Sequence, residues 1–136
     1  MVTRHLLHDV GSFLYNADFY GDELPCWTRV TNTPPPMVPQ SFVLNDNRYA
    51  SGRVENAGDF LALLGSACRV LRQESRRAPR LMTISLHARL SGRPARFDAL
   101  RRFLDLVDKT LEVWRCTRVD LARHWISQVP PPGPIC

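Results

Sequence analysis

The short run Leu81–His87 limits most strongly the folds that this sequence can adopt. It is almost continuously apolar, a pattern typical of a strand buried on both faces of a parallel sheet. Helical patterns flank it, one from Ala57 to about Arg77 and one that opens near Pro94. A buried strand between two helices predicts an α/β fold in which parallel strands alternate with helices.

Helices are predicted where apolar residues recur at helical spacing. The stripe of the first long helix is Phe60, Leu64, Ala67 and Leu71, with Asn56 as a candidate N-cap. The expected buried stripe of the helix that opens at Pro94 is Phe97, Leu100, Leu104 and Val107. Two more helices are predicted, over Thr3–Val10 and from about Arg118 to Gln128, and a loop is predicted over residues 88–93.

Three further apolar runs predict strands, at residues 13–15, 42–44 and 112–116, and Trp114 and Trp125 are expected in the core. A proline-rich loop without periodicity covers residues 22–40. A closed eight-stranded α/β barrel needs about 200 to 250 residues. The predicted strands therefore suit either a small open sheet or the C-terminal part of a larger barrel. We expect residues 1–129 to form one domain and residues 130–136 to form a proline-rich tail.

Composition excludes several classes of protein. Hydrophobic residues make up 44% and charged residues 23% of the 136, which excludes a disordered chain. No apolar run approaches the ~18 residues of a membrane-spanning helix, and no apolar signal core follows Met1, so we expect a cytoplasmic location without a membrane partner. The net charge of +5 comes from arginines spread along the chain. The densest group, from Arg69 to Arg80, is more typical of a solvated helix face than of a nucleic-acid site, so no nucleic-acid partner is expected.

Known catalytic and metal-binding motifs are absent from the sequence. The four cysteines, at positions 26, 68, 116 and 136, form no Cys-x-x-Cys pair and have no histidine at zinc-ligand spacing. There is no phosphate-binding glycine loop, nucleophile elbow, dinucleotide fingerprint or His-x-x-x-His pair. We therefore expect no metal site or cofactor site built wholly from this chain.

Polar side chains follow each predicted strand, and the carboxyl ends of parallel strands open on one rim. The candidates at this rim are Asp18, Asp22, Asn45, Asp46, His87 and Arg89. His87 closes an apolar strand, so it can act as a general acid or base at the boundary of core and rim; a core histidine held by one backbone partner is the alternative. Trp27, in the irregular loop, either walls a pocket or anchors the loop.

The segments that carry these residues also resemble a known family. The segments are Met82–Arg96, Val113–Trp125, Gly11–Asp18, Asp22–Trp27, Val38-Pro39 and Asn45–Tyr49. They resemble the C-terminal blocks of the polysaccharide deacetylase family, in particular the branch that includes the bacterial allantoinases of purine catabolism. The resemblance implies the C-terminal half of a distorted (β/α) barrel and the hydrolysis of non-peptide C–N bonds. The departures are Cys26 and Gln40, where the branch tends to have tyrosine, and a shorter loop around residues 45–48.

The resemblance implies a division of roles between this chain and residues it does not contain. His87 corresponds to the family's catalytic acid, which protonates the leaving nitrogen, and the other rim residues correspond to the substrate pocket. The catalytic aspartate and the His-x-x-x-His pair, which often hold a divalent metal, belong before the region equivalent to Thr3. The implied substrate is a small ureide or an N-acetylated sugar.

Two hypotheses follow for the function. In the first, the chain is part of a C–N hydrolase, inactive alone and completed by an N-terminal half or by a homo-oligomer. In the second, it is a non-catalytic remnant or interaction module that retains the elements of the fold. The upstream reading frame discriminates between them, because the first hypothesis requires the missing catalytic motifs to be encoded there.

Overall fold

The computed structural model describes residues 2–11, 13–20, 24–28 and 35–131, and its regular secondary structure is helical. The helices are α1 (Val2–Val10), α2 (Ala57–Glu74), α3 (Ala88–Ser91), α4 (Pro94–Asp108) and α5 (Arg118–Gln128), with a 3₁₀ turn at Asp46–Tyr49. The chain divides into two compact units. The first comprises Met1–Gln40 and Arg115–Cys136, and the second comprises Ser41–Trp114.

The four predicted helices are present, and recognisable local chemistry fixes the first residues of three of them, α2, α4 and α5. Asn56 caps α2 by accepting a hydrogen bond from the backbone N–H of Asp59, whose carboxylate accepts one from the Asn56 N–H in return. Pro94 occupies the first turn of α4, as predicted. Thr117 and Asp120 form the same reciprocal cap at the start of α5. The sequence misplaced only the end of α2, which stops at Glu74 rather than near Arg77.

The four predicted strands, at residues 13–15, 42–44, 81–87 and 112–116, are wrong for the described part of the chain, where β-pairing is limited to isolated bridges. One of these bridges is parallel and joins Asn45 to Ser85. A strand of a parallel sheet is normally covered on both faces. Residues in these runs instead reach solvent: Phe42 is 70% and Leu86 is 44% exposed. The predicted loop after His87 is also wrong in part, because residues 88–91 form α3.

The core of the second unit lies between α2 and α4. Its buried residues are Leu44, Tyr49, Val54, Phe60, Leu64, Phe103 and Val107. The buried row of α4 is Ala99, Phe103 and Val107, so the predicted stripe is wrong at Phe97 and Leu104, which are 57% and 37% exposed. The reason is that α4 has two adjacent apolar rows about 100° apart around the helix, and helical periodicity alone does not say which row packs.

The buried centre of the first unit lies in the proline-rich loop. Met37 and Val38 are 2% and 0% exposed, and Met37 forms a parallel bridge with Asn16 and an antiparallel bridge with Cys26. Ala122 of α5 is also fully buried. Trp114, which belongs to the second unit, is 57% exposed, so its predicted place in the core is wrong. None of the described helices is long and apolar enough to cross a membrane.

Candidate active site

The second unit contains a buried carboxylate bound to a partly exposed imidazole. The side chain of Asp46 is 0% exposed, and its Oδ1 lies 2.6 Å from Nδ1 of His87. Its Oδ2 accepts hydrogen bonds from the backbone N–H of His87 at 2.8 Å and from the hydroxyl of Ser91 at 2.7 Å. All three donors come from residues 87–91, so one carboxylate holds one turn of chain.

Local backbone structure brings Asp46 and His87 together. At the parallel bridge, the N–H of Ser85 donates to the carbonyl of Leu44 and the N–H of Asp46 donates to the carbonyl of Ser85. Beyond the bridge, Asp46 begins the 3₁₀ turn, and His87 is the N-cap residue of α3. The two residues therefore leave the bridge side by side, as the sequence predicted for the ends of parallel neighbours.

Hydrogen bonding keeps Asp46 ionised in spite of its burial. Burial raises the pKa of the Asp46 carboxyl, but the hydrogen bonds from His87 and Ser91, together with the charge of His87, outweigh it and leave the pKa below its usual value. An ionised carboxylate only accepts hydrogen bonds, so we assign the proton of the neutral His87 ring to Nδ1. The other ring nitrogen, Nε2, is then the atom that can exchange a proton with a ligand, and the side chain is 38% exposed.

An aromatic and an arginine side chain support the segment that carries His87. The guanidinium of Arg96 lies 4.0 Å from the centroid of the Tyr49 ring, which itself contacts the ring of Phe60 at 5.3 Å. Arg96 also donates from Nη1 to the carbonyl of Leu90, at 3.5 Å. Arg96 on α4 thus contacts both the 3₁₀ turn and α3. Burial raises the pKa of the Tyr49 phenol.

The other predicted site residues occupy different surroundings. In the second unit, Asn45 uses its side-chain oxygen to cap the 3₁₀ turn through the N–H of Asn47, and Arg89 is exposed on α3. In the first unit, Asp18 is exposed, and the indole N–H of Trp27 donates to the carbonyl of Val129 at 3.2 Å. Asp22 lies outside the described residues. The structure therefore groups Asn45, Asp46, His87 and Arg89 in one unit, and their roles toward a substrate stay predictions.

Sequence reasoning missed Ser91, the second side chain bound to Asp46. The pattern of residues 88–93 predicts a loop, and in a loop a separation of four residues does not place two side chains on the same face. In a helix, residues four apart share a face, so the spacing of His87 and Ser91 was the available signal. The following Gly92 indicates such a turn, because a Cβ at this position would lie 2.3 Å from the carbonyl oxygen of Ala88.

Metal ligands are not gathered in this unit or elsewhere in the described residues, which contain no group of three or more His, Cys, Asp or Glu that could hold an ion. The resemblance assigns the divalent metal to residues that belong before the region equivalent to Thr3.

Comparisons with known proteins relate the chain to larger hydrolases, although no family profile matches it. A Schizosaccharomyces pombe protein assigned to the polysaccharide deacetylases is 32% identical over 127 residues, which are 85% of this chain and 40% of that protein. Two solved structures are similar with a TM-score of 0.89: a Pseudomonas aeruginosa PAO1 protein assigned to the polysaccharide deacetylases, at 38% identity and 94% of this chain, and Puue allantoinase, at 39% identity and 96% of this chain. The chain spans only 44% of each of these two structures.

Proposed function

Because this chain is homologous, over most of its length, to part of the polysaccharide deacetylases and of Puue allantoinase, we propose that it is the C-terminal part of a hydrolase of non-peptide C–N bonds. The single observation that carries the proposal is the contact between buried Asp46 and His87. In this proposal the chain forms the C-terminal half of a distorted (β/α) barrel and works in the cytoplasm.

His87 is the general acid of the proposed reaction. When water adds to the carbonyl carbon of an amide or ureide, the C–N bond breaks only if the leaving nitrogen receives a proton. The imidazolium of His87 donates that proton from Nε2, while the Asp46 carboxylate binds the N–H at Nδ1 and stabilises the positive ring before the transfer. The same pair then recovers a proton from water.

The proposed substrate is a small ureide, the class suggested by the resemblance to the allantoinase branch. An N-acetylated sugar is the alternative, and it requires the same proton at its leaving nitrogen. Asn45 and Arg89 lie in the same unit as His87, and we assign both to the substrate pocket. The resemblance assigns Asp18, Asp22 and Trp27 to this pocket as well.

Activation of the attacking water is assigned to residues outside this chain. The similar structures are more than twice as long as the part that the chain spans, and the resemblance assigns the water-activating groups to the region before the equivalent of Thr3. We therefore propose that the chain acts with a complementing N-terminal half, either on a separate chain or within a longer one.

Complementation tests this proposal directly. The chain is co-expressed with the part of Puue allantoinase that it does not match, the complex is purified, and hydrolysis of allantoin and of N-acetylglucosamine oligomers is measured. We expect turnover by the complex, none by either piece alone, and at least a 100-fold loss with His87→Ala. His124→Ala on α5 is the matched histidine control and should retain activity. A purified complex that forms but turns over neither substrate would support the non-catalytic remnant instead.

A further inference from the structure

Among the described residues, the hydroxyl of Ser91 is the one contact of the Asp46 carboxylate that involves neither the ring nor the backbone of His87. Ser91 is 5% exposed, and its Oγ lies 2.7 Å from Oδ2 of Asp46. We propose that Ser91 is a positioning residue for the acid–base pair: its hydroxyl fixes the rotation of the Asp46 carboxylate so that Oδ1 faces Nδ1 of His87. The inference rests on the proposed function in that it takes His87 as the proton donor.

The rotation of a carboxylate about its last bond is soft, with broad wells instead of sharp ones. Asp46 therefore needs bonds to both oxygens if one oxygen is to face the imidazole consistently. Oδ2 has two donors, the His87 N–H and the Ser91 hydroxyl. Two donors on Oδ2 restrict the rotation of the carboxylate plane. Oδ1 then faces Nδ1 of the His87 ring.

The fold holds Ser91 firmly enough for this role. The carbonyl of His87 accepts hydrogen bonds from the N–H groups of Leu90 and Ser91, both at 2.9 Å, which closes the α3 turn between the two side chains. Gly92 follows with no room for a Cβ over Ala88, and Arg96 binds the Leu90 carbonyl from α4. Ser91 and His87 therefore face Asp46 as parts of one tight turn.

Charged and titratable side chains also occur on the described elements next to the pair. The 3₁₀ turn contributes Arg48 and Tyr49, α3 contributes Arg89, and α4 contributes Arg96, whose guanidinium lies over the Tyr49 ring. Ser91→Ala changes none of these groups. A change in the His87 ring signals therefore reports the loss of the Ser91 hydroxyl.

Nitrogen-15 NMR of the histidine rings tests the inference on the isolated chain without any assay of activity. The His87 signals are identified by their loss in His87→Gln. We expect the wild-type neutral ring to carry its proton at Nδ1, with a strongly downfield Nδ1–H signal. In Ser91→Ala this signal should be lost and the ring should shift toward the Nε2–H form, whereas Ser91→Thr should retain it.

Two controls separate positioning from a loss of structure. Ser75→Ala removes another serine hydroxyl of the same unit, one that donates to the carbonyl of Arg72, and should leave the His87 signals unchanged. The Tm of each variant shows that it is folded. If Ser91→Ala does not fold, Ser91→Cys takes its place, because a thiol is a weaker donor of similar shape, and a weakened Nδ1–H signal is expected.

A folded Ser91→Ala, or Ser91→Cys in its place, that keeps the wild-type ring signals overturns the inference. The outcome is independent of the proposed function: if His87→Ala leaves the complemented enzyme active while Ser91→Ala still alters the ring, the hydrolase proposal fails and the positioning role stands. If His87 is essential but its ring signals do not change in Ser91→Ala, the hydrolase proposal stands and the positioning role fails.

Discussion

The charge of Asp46 contributes to the stability of the second unit. Its side chain is fully buried, and it accepts three hydrogen bonds that favour the ionised form. The pKa of this carboxyl is therefore lower in the folded chain than in the unfolded chain, where an aspartate has a pKa of about 3.9. The stabilisation is complete above that value and is lost as the pH falls through the lower pKa of the folded state.

This pH dependence should depend on Asp46. We expect the free energy of unfolding of the wild-type chain to fall between pH 5 and pH 2.5, as measured by urea denaturation. Asp46→Asn should be less stable at pH 6 by about 2 to 3 kcal/mol, because it leaves buried donors without a charged acceptor. Its stability should also change less than that of the wild type over the same acid range.

The matched control is Asp98→Asn on α4. The pKa of Asp98 is also lowered, by hydrogen bonds from Arg101 and Arg102, but the side chain lies on the exposed face of the helix. Surface ion pairs contribute little, so this variant should have nearly the stability of the wild type. An Asp46→Asn chain as stable as Asp98→Asn at pH 6 would contradict the account of Asp46.

At the scale of elements, we predict opposite effects on stability for the replacement of two glycines by alanine. A Cβ at Gly92 would lie 2.3 Å from the carbonyl oxygen of Ala88, whereas a Cβ at Gly65 in α2 would have open space. Gly92→Ala should therefore shift α3 and cost about 1 to 3 kcal/mol of unfolding free energy. Gly65→Ala should be neutral or stabilise by up to about 1 kcal/mol, because alanine has the higher helix propensity.

Urea denaturation measures both glycine variants, and the histidine NMR signals show whether α3 has moved. We expect Gly92→Ala to disturb the His87 ring signals and Gly65→Ala to leave them as they are. Equal stabilities for the two variants would mean that the α3 turn is looser than the contact with Ala88 indicates.

The sequence predicted helices better than strands for a physical reason that particular residues show. The start of α2 depends on Asn56 and Asp59, and the start of α4 on Pro94, which are local features that can be read directly. A strand depends on what lies beside it. Leu81–His87 has the composition of a buried strand, yet in the described residues it pairs only at Ser85, through one bridge.

The candidate site divides in the same way. The proximity of Asp46 and His87 followed from the rule that the ends of parallel neighbours meet, and one bridge was enough to satisfy it. Ser91 could not be predicted because its role depends on a four-residue helix in a segment whose sequence pattern predicts a loop. The choice between the two apolar rows of α4 also required the packing partner, α2, to be known.

At the scale of the whole molecule, apolar side chains on the surface should govern its behaviour in solution. Phe97 and Leu104 lie on the exposed row of α4, and Leu111 and Trp114 are 100% and 57% exposed. Apolar patches of this kind favour association in water. We expect the isolated chain to self-associate as its concentration rises, detected by size-exclusion chromatography with light scattering.

Substitution of the exposed row tests this expectation. Phe97→Gln combined with Leu104→Gln should reduce the mean molar mass toward that of a 15.5 kDa monomer, because both side chains face solvent and neither belongs to the core. Lys109→Gln, at the exposed end of α4, is the control and should not change the association. A wild-type chain that elutes as a monomer at all concentrations would show that these exposed apolar residues do not cause association.

The bond between Asp46 and His87 joins residues 41 positions apart. It closes a long loop that includes the whole of α2, and closing such a loop costs entropy that the packed helices must recover. The imidazole can therefore be used as a folding reporter, since its ring signals will take their native values only once the intervening polypeptide has assembled. The proton donor that we propose therefore becomes competent only when its own folding unit is complete.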